Sequence, residues 1–129
     1  MISHLLSRFV NVLLYHRIDY PRSPEFSGFA GNVSATPEMF EKHLDYIGRH
    51  YNVISIGEFA AACRGERPLP PRTVLITFDD GYLDNFKNAW PALKKRDMPA
   101  VLYLATGYVD GAHHFFWDYV ADAFRTSVV

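Results

Sequence analysis

Apolar positions along the chain fall into two patterns: short unbroken runs, and longer stretches with helical spacing. The clearest run is Val74-Leu75-Ile76-Thr77-Phe78, uncharged and rich in β-branched and aromatic residues, between Arg72 and Gly81. It predicts a strand over 73–78, covered on both faces as in a parallel sheet. Residues 10–15 have the same character and predict a first strand ending at His16-Arg17. Residues 52–55 predict a short strand, and 99–105 another with 100–104 as its apolar body.

Helical spacing appears four times. Phe40, Leu44, Ile47 and Tyr51 mark one face of a helix opened by Thr36 as N-cap and Pro37 as first residue. Ser55 and Glu58 form a capping-box pattern and predict a helix over 57–64. Its apolar face is Phe59, Ala60 and Cys63, and Cys63 reads as a small core residue because free cysteines are usually buried. Phe86, Ala89, Trp90 and Leu93 give the strongest amphipathic signal, over 83–96, with a kink expected at Pro91. A last helix begins within 115–124. Residues 18–35, with Pro21, Pro24, Gly28 and Gly31, read as one long irregular stretch. It leaves the end of the first strand and is either a lid or a surface excursion.

Strands alternating with helices imply an α/β fold with a parallel sheet or barrel. Four strands are about half of an eight-stranded barrel, whose usual length is about 250 residues. The 129 residues therefore read as a single, incomplete domain. Hydrophobic residues make up 49%, which excludes a disordered chain. A net charge of -1 gives no footprint for nucleic acid and no attraction to an anionic membrane. The single cysteine excludes an intrachain disulfide, and no run is long enough for a transmembrane segment. No small-residue cleavage site follows the apolar stretch near the start, so a cytoplasmic location is the expectation.

The candidate chemistry sits where the central run ends, at Asp79-Asp80-Gly81. Neighbours on a strand point to opposite faces, so both carboxylates share one cleft only if Gly81 permits a sharp turn. Otherwise the pair is an ordinary solvated turn. His16 ends the first strand at the same face, where catalytic groups of parallel barrels gather, and is expected to line the site. His43 and His50 read as surface or boundary residues. His113 and His114 are adjacent, a poor arrangement for ligating one ion, since ligands on one helix need about one-turn spacing. An aspartyl phosphatase would need Asp-x-Asp, and Gly81 occupies the second position.

Thr77-Phe78-Asp79-Asp80-Gly81 resembles the first motif, T-F-D-D-G, of the polysaccharide deacetylases, the NodB-homology or family-4 carbohydrate esterases. Leu13-Leu14-Tyr15-His16-Arg17-Ile18 is similar to a first-strand signature of one branch. Residues 99–108 resemble the strand after the motif helix, and Phe116-Trp117-Asp118 resembles a segment of deacetylases of surface-sugar biosynthesis. The resemblance implies a partial distorted (β/α) barrel that removes acetyl groups from an N-acetylated sugar or polysaccharide. It implies Asp79 as the catalytic base and Asp80 as ligand of a divalent metal, usually zinc. Thr77, Gly81 and Tyr82 of the motif would line the site with His16.

The sequence departs from the family at the second motif. No His-x-x-x-His pair occurs among His4, His16, His43, His50, His113 and His114, so two metal ligands are missing. The later motifs, carrying an orienting arginine and a general-acid histidine, are missing too. The expectation is the front portion of a deacetylase, inactive alone, with an unpaired sheet edge at 100–104 that promotes self-association. The alternative is a non-catalytic remnant that binds carbohydrate or a partner chain.

Overall fold

A computed structural model describes residues 9–109, 111 and 114–127. Its centre is the all-parallel sheet built on the apolar run. Strand β1, Val10–Tyr15, lies along β5, Thr73–Asp80, in register from Val10↔Thr73 to Tyr15↔Phe78. The opposite edge of β5 is shared between two short strands. β4, Asn52–Val53, pairs with its start, and β6, Val101–Leu104, pairs with Thr77 to Asp80 at its end. Every residue from Thr73 to Phe78 is buried, so β5 is covered on both faces as its composition requires. It runs two residues past the expected end and includes both aspartates.

Helix α1, Pro37–His50, is capped by Thr36, whose Oγ1 accepts the Met39 N–H at 3.3 Å. It buries Phe40, Leu44 and Ile47 on the sheet. Phe40 meets Tyr15 and Phe78 edge-on, at 5.1 and 5.8 Å, and Tyr15 stacks on Phe78 at 5.5 Å. Helix α2, Ile56–Cys63, has the complete capping box. The Glu58 N–H donates to Ser55 Oγ (3.2 Å) and the Ser55 N–H donates to Glu58 Oε2 (2.9 Å). Cys63, expected in the core, is exposed. This helix has only eight residues and buries none of them fully, so its last residue faces water.

The third helix corrects the sequence reading most. It is helical from Leu83, passes through a π-turn at Asn85–Ala89, and ends in α3, Trp90–Lys95. The Trp90 N–H bonds the Asn85 carbonyl, five residues back. Two of the four expected core residues face out: Phe86 is 69% exposed and Trp90 51%. Asp84 and Asn85 are buried instead, with Ala89, Ala92 and Leu93. Two polar ties fix this rotation. Asp84 pairs with Arg17, and Asn88 Nδ2 donates to the Ile18 carbonyl at 2.7 Å. Pro91 has no N–H for the Lys87 carbonyl, and the wide turn directly before it accommodates that loss.

Residues 18–35 are more regular than expected. β2, Arg17–Ile18, and β3, Val33–Ala35, form a separate two-stranded parallel ladder, with a 3₁₀ turn at Ala30–Asn32. The segment between them is held by helix α4, Phe116–Thr126. Asp118 Oδ1 accepts the Phe29 N–H (2.7 Å), and Asp122 accepts the Gly28 N–H and the Ser27 hydroxyl (both 2.9 Å). Arg125 donates to the carbonyls of Phe26 (2.9 Å) and Gly28 (2.7 Å). Gly28 has φ +98°, and a Cβ there would lie 2.6 Å from Asp118 Oδ1.

Arg17 joins these parts. Its guanidinium is buried, donating from Nε to Asp84 Oδ2 (2.8 Å), from Nη1 to the Ser27 carbonyl (2.7 Å) and from Nη2 to Asp19 Oδ2 (3.1 Å). The Phe26 and Tyr82 rings lie 4.6 Å from it. Burial pushes the Asp84 carboxyl up, while the Ile18 N–H and Arg17 pull it back. Asp84→Ala removes the partner of the Arg17 Nε–H and of the Ile18 N–H together. It is expected to lower stability by about 3–5 kcal/mol, or to abolish a cooperative urea transition.

A second expectation concerns pH. The Asp122 carboxyl sits below its ordinary value chiefly because it accepts the Gly28 N–H, with partial burial opposing and Ser27 and Arg125 adding. A depressed folded value means that its contribution is present at neutral pH and lost as pH falls through that value. The Gly28 amide proton shift should therefore titrate below the ordinary aspartate value of 3.8. An unchanged shift in that window would show that the bond is not formed.

Candidate active site

The end of β5 does not follow strand alternation. The Gly81 N–H bonds the Asp79 carbonyl at 2.9 Å, closing a three-residue turn with Asp80 at its centre. Asp80 has φ +73°, rare for a residue with a Cβ, and Gly81 follows at φ +78°. A γ-turn with positive φ at its centre is strained, and such strain persists where surrounding structure enforces it. Here β6 does so, pairing Asp79 with Tyr103 and Asp80 with Leu104. A side chain at Gly81 would press on Leu104, 2.5 Å from the new Cβ, in a conformation that L residues resist. The turn frees Asp80 from the direction that alternation would give it.

Both aspartates are half-buried. The Asp80 carboxyl is pushed up, first by burial and also by the charges of Asp79 and Asp118, while His16 opposes the shift. Among the described residues no hydrogen bond or ion pair joins the ring of His16 to Asp80, and His16 is not among the residues lining the cavity beside Asp80. It is half-buried, and its backbone N–H donates to Ser34 Oγ at 2.9 Å. Thr77 is buried, and its hydroxyl donates to the Leu13 carbonyl at 3.1 Å, tying β5 to β1. Tyr82 is held on every side. Its ring lies on Arg17, its hydroxyl donates to Asp118 Oδ2 (2.7 Å), and Trp117 Nε1 donates to it (2.9 Å).

Asp118 is the residue that sequence reasoning missed. It receives Tyr82 and the Phe29 N–H, one on each oxygen, and lines the same cavity as Asp80. The i, i+4, i+7 spacing of Asp118, Asp122 and Arg125 was the available signal: one charged helix face, here turned onto residues 26–29. The cavity holds about 340 Å³ and is also lined by Tyr108, His114 and Phe115. His113 lies outside the described residues.

The donor set does not make a complete metal site. A catalytic zinc has three protein ligands and an open position. Among the described residues no three His, Cys, Asp or Glu side chains are grouped to hold an ion.

A strained acidic turn at the carboxyl end of a parallel strand borders a cavity, at the end of the sheet where parallel α/β folds bind ligands. The comparisons narrow the class. Residues 66–126 match the polysaccharide deacetylase family model. The Bacillus subtilis (strain 168) protein YxkH, assigned by name to the polysaccharide deacetylases, is 30% identical over 105 residues, 80% of this chain and 34% of that protein. The poly-beta-1,6-N-acetyl-D-glucosamine N-deacetylase of Escherichia coli (strain K12) is 38% identical over 60 residues, 46% of this chain and 9% of that one. Among solved structures, the de-N-acetylase from Aggregatibacter actinomycetemcomitans superposes with a TM-score of 0.66 at 28% identity, covering 78% of this chain and 39% of that one. The Streptococcus pyogenes deacetylase PplD gives 0.65 at 28% identity, over 80% and 45%.

Over residues 66–126 the chain is similar to the polysaccharide deacetylases, and its fold is the (β/α)-barrel type that its structural neighbours carry. It spans 34% of the length of the B. subtilis relative. Among the described residues no helix is long and apolar enough to cross a membrane.

The Tyr82 phenol is pushed up to about 12, mainly by burial, with Asp118 adding and the Trp117 and Asn32 bonds opposing. An ultraviolet titration of the chain minus that of Tyr82→Phe should show one phenol with a midpoint near 12, read while the far-UV signal remains folded. A difference midpoint at the ordinary value of 10.0 would break the link between Tyr82 and Asp118.

Proposed function

We propose that the chain carries the catalytic corner of a hydrolase that removes N-acetyl groups from a sugar or polysaccharide. The observation that carries this is the turn at Asp79-Asp80-Gly81, where a strained, half-buried carboxylate faces a cavity at the end of the central strand. Asp79 is the proposed general base. It takes a proton from the water whose oxygen attacks the acetyl carbonyl carbon. The C–N bond breaks, acetate forms, and the nitrogen leaves as a protonated amine. The match to the polysaccharide deacetylase family model, and relatives named as poly-beta-1,6-N-acetyl-D-glucosamine N-deacetylases, support an amino-sugar substrate.

Asp80 is proposed as the one metal ligand that this chain supplies. The remaining donors would be the histidines of the family's second motif, which this sequence lacks. His16, Gly81 and Tyr82 shape the site around the turn, and Thr77 anchors the strand beneath it. A second reading is carbohydrate binding without catalysis.

Acetate release from an N-acetylglucosamine oligomer separates the two readings. The 129-residue chain alone is expected to release none with added zinc. A longer protein that joins it to a segment carrying His-x-x-x-His is expected to turn over. In that protein Asp80→Ala should lose bound metal, whereas Asp79→Ala should keep metal and lose turnover by at least about a hundredfold. Equal metal content in the two variants would overturn the division of roles.

The chain alone should also self-associate. Among the described residues no strand pairs the outer edge of β1 or of β6, and Val12, Leu14, Leu102 and Leu104 are exposed there. Sedimentation should show dimers or larger species that dissociate on dilution. A monodisperse monomer across the concentration range would exclude this.

A further inference from the structure

We infer that the free edge of β6 and the apolar hollow between it and the third helix form the interface of a two-fold dimer, in which Trp90 of each copy enters the hollow of the other. This singles out one of the two open edges named above and does not depend on the deacetylase reading. The hollow holds about 360 Å³, with Phe86, Ala89 and Trp90 on one side and residues 100–102 on the other. No charged side chain lines it. Asn85 does, at 6% exposure, and neither its amide nitrogen nor its amide oxygen has a partner among the described residues. A buried amide left unpaired is costly, so whatever fills the hollow and brings a donor or acceptor to Asn85 is favoured.

A second copy of this chain supplies both. Interface cores are poor in lysine and carboxylates and rich in tryptophan, tyrosine and phenylalanine. The hollow beside β6 has that composition, whereas the hollow beside β1 includes Lys42 and His43. Residues 100–105 carry no charge, so antiparallel pairing of β6 with its own copy sets no like charges opposite each other. The outward N–H and C=O groups of β6, which no described strand pairs, gain a ladder. Leu83, Phe86, Trp90, Leu102, Tyr103 and Leu104 are all exposed around this edge. Together they offer roughly 700 Å² per copy, close to the ~800 Å² that each partner buries in a stable interface. Trp90 is half-exposed at the rim, and no described residue accepts its indole N–H. Carried across the two-fold axis, that N–H donates to Asn85 Oδ1 while the ring fills the hollow. Each copy uses the same patch, so the contact closes at two chains.

Sedimentation velocity on the 129-residue chain tests this, under reductant because Cys63 is exposed. The variants are Trp90→Lys, Phe86→Lys, Trp90→Phe and Val12→Lys, all at exposed positions and each checked for an unchanged far-UV signal. The unsubstituted chain is expected to dimerise reversibly. Trp90→Lys and Phe86→Lys each put a charge into the apolar contact and should weaken the dimer by at least about a hundredfold. Trp90→Phe keeps a ring and loses the N–H, and should weaken it about fivefold. Val12→Lys, on the edge of β1, should stay within about twofold of the unsubstituted chain. Amide exchange over 101–104 should be slower in the dimer than in the diluted chain. A monomer at every concentration would overturn the proposal, as would assemblies that grow beyond two chains. A dimer indifferent to both lysine substitutions on the third helix, or one dissociated by Val12→Lys, would overturn it equally.

Discussion

A single buried guanidinium holds the functional end of this molecule together. Arg17 follows the first strand by two residues, and its donors reach Asp84 on the third helix, Asp19, and the Ser27 carbonyl. Phe26 and Tyr82 close over it. A buried charge without such partners would be prohibitive, so the pairing constrains geometry as well as energy. The helix after the aspartate motif must present Asp84 inward, and residues 26–29 must pass over the guanidinium. Tyr82 is thereby placed where Asp118 can receive its hydroxyl. Strand, helix, loop and last helix meet at one cation.

That constraint explains the helix that disobeys its own apolar pattern. The spacing of Phe86, Ala89, Trp90 and Leu93 describes a regular helix with those four inside. Turning Asp84 to Arg17 and Asn88 to the Ile18 carbonyl is incompatible with that rotation. The π-turn resolves the conflict by adding a residue to one turn, and Phe86 and Trp90 are left outside. Asn85 is drawn inside, and its side-chain amide has no hydrogen-bond partner among the described residues. Phe86 and Trp90 line the apolar hollow beside Val101 and Leu102 of β6.

Strain at Asp80 follows the same logic on a smaller scale. The residue holds φ +73° because β6 fixes its backbone from one side and the Gly81 bond closes the turn from the other. Glycine at position 81 is required by its own φ and by the approach of Leu104. Asp80 thereby borders the cavity beside the strand end, where burial pushes its carboxyl up.

The sequence by itself determined the four strands of the main sheet, the first two helix starts and the place of the acidic turn. Each rests on local chemistry: an uncharged β-branched run, a threonine before a proline, a capping box, and aspartates before a glycine. The family motif was legible for the same reason, being contiguous. Asp118, the order of residues 26–32, the exposure of Cys63 and the rotation of the third helix were decided only by tertiary structure. Asp118 is 89 residues from the Phe29 N–H that it accepts, and Arg17 is 67 from Asp84. No local pattern encodes such partners. A buried charge takes whatever the fold brings within hydrogen-bond reach, and the helices and loops adjust to keep it satisfied.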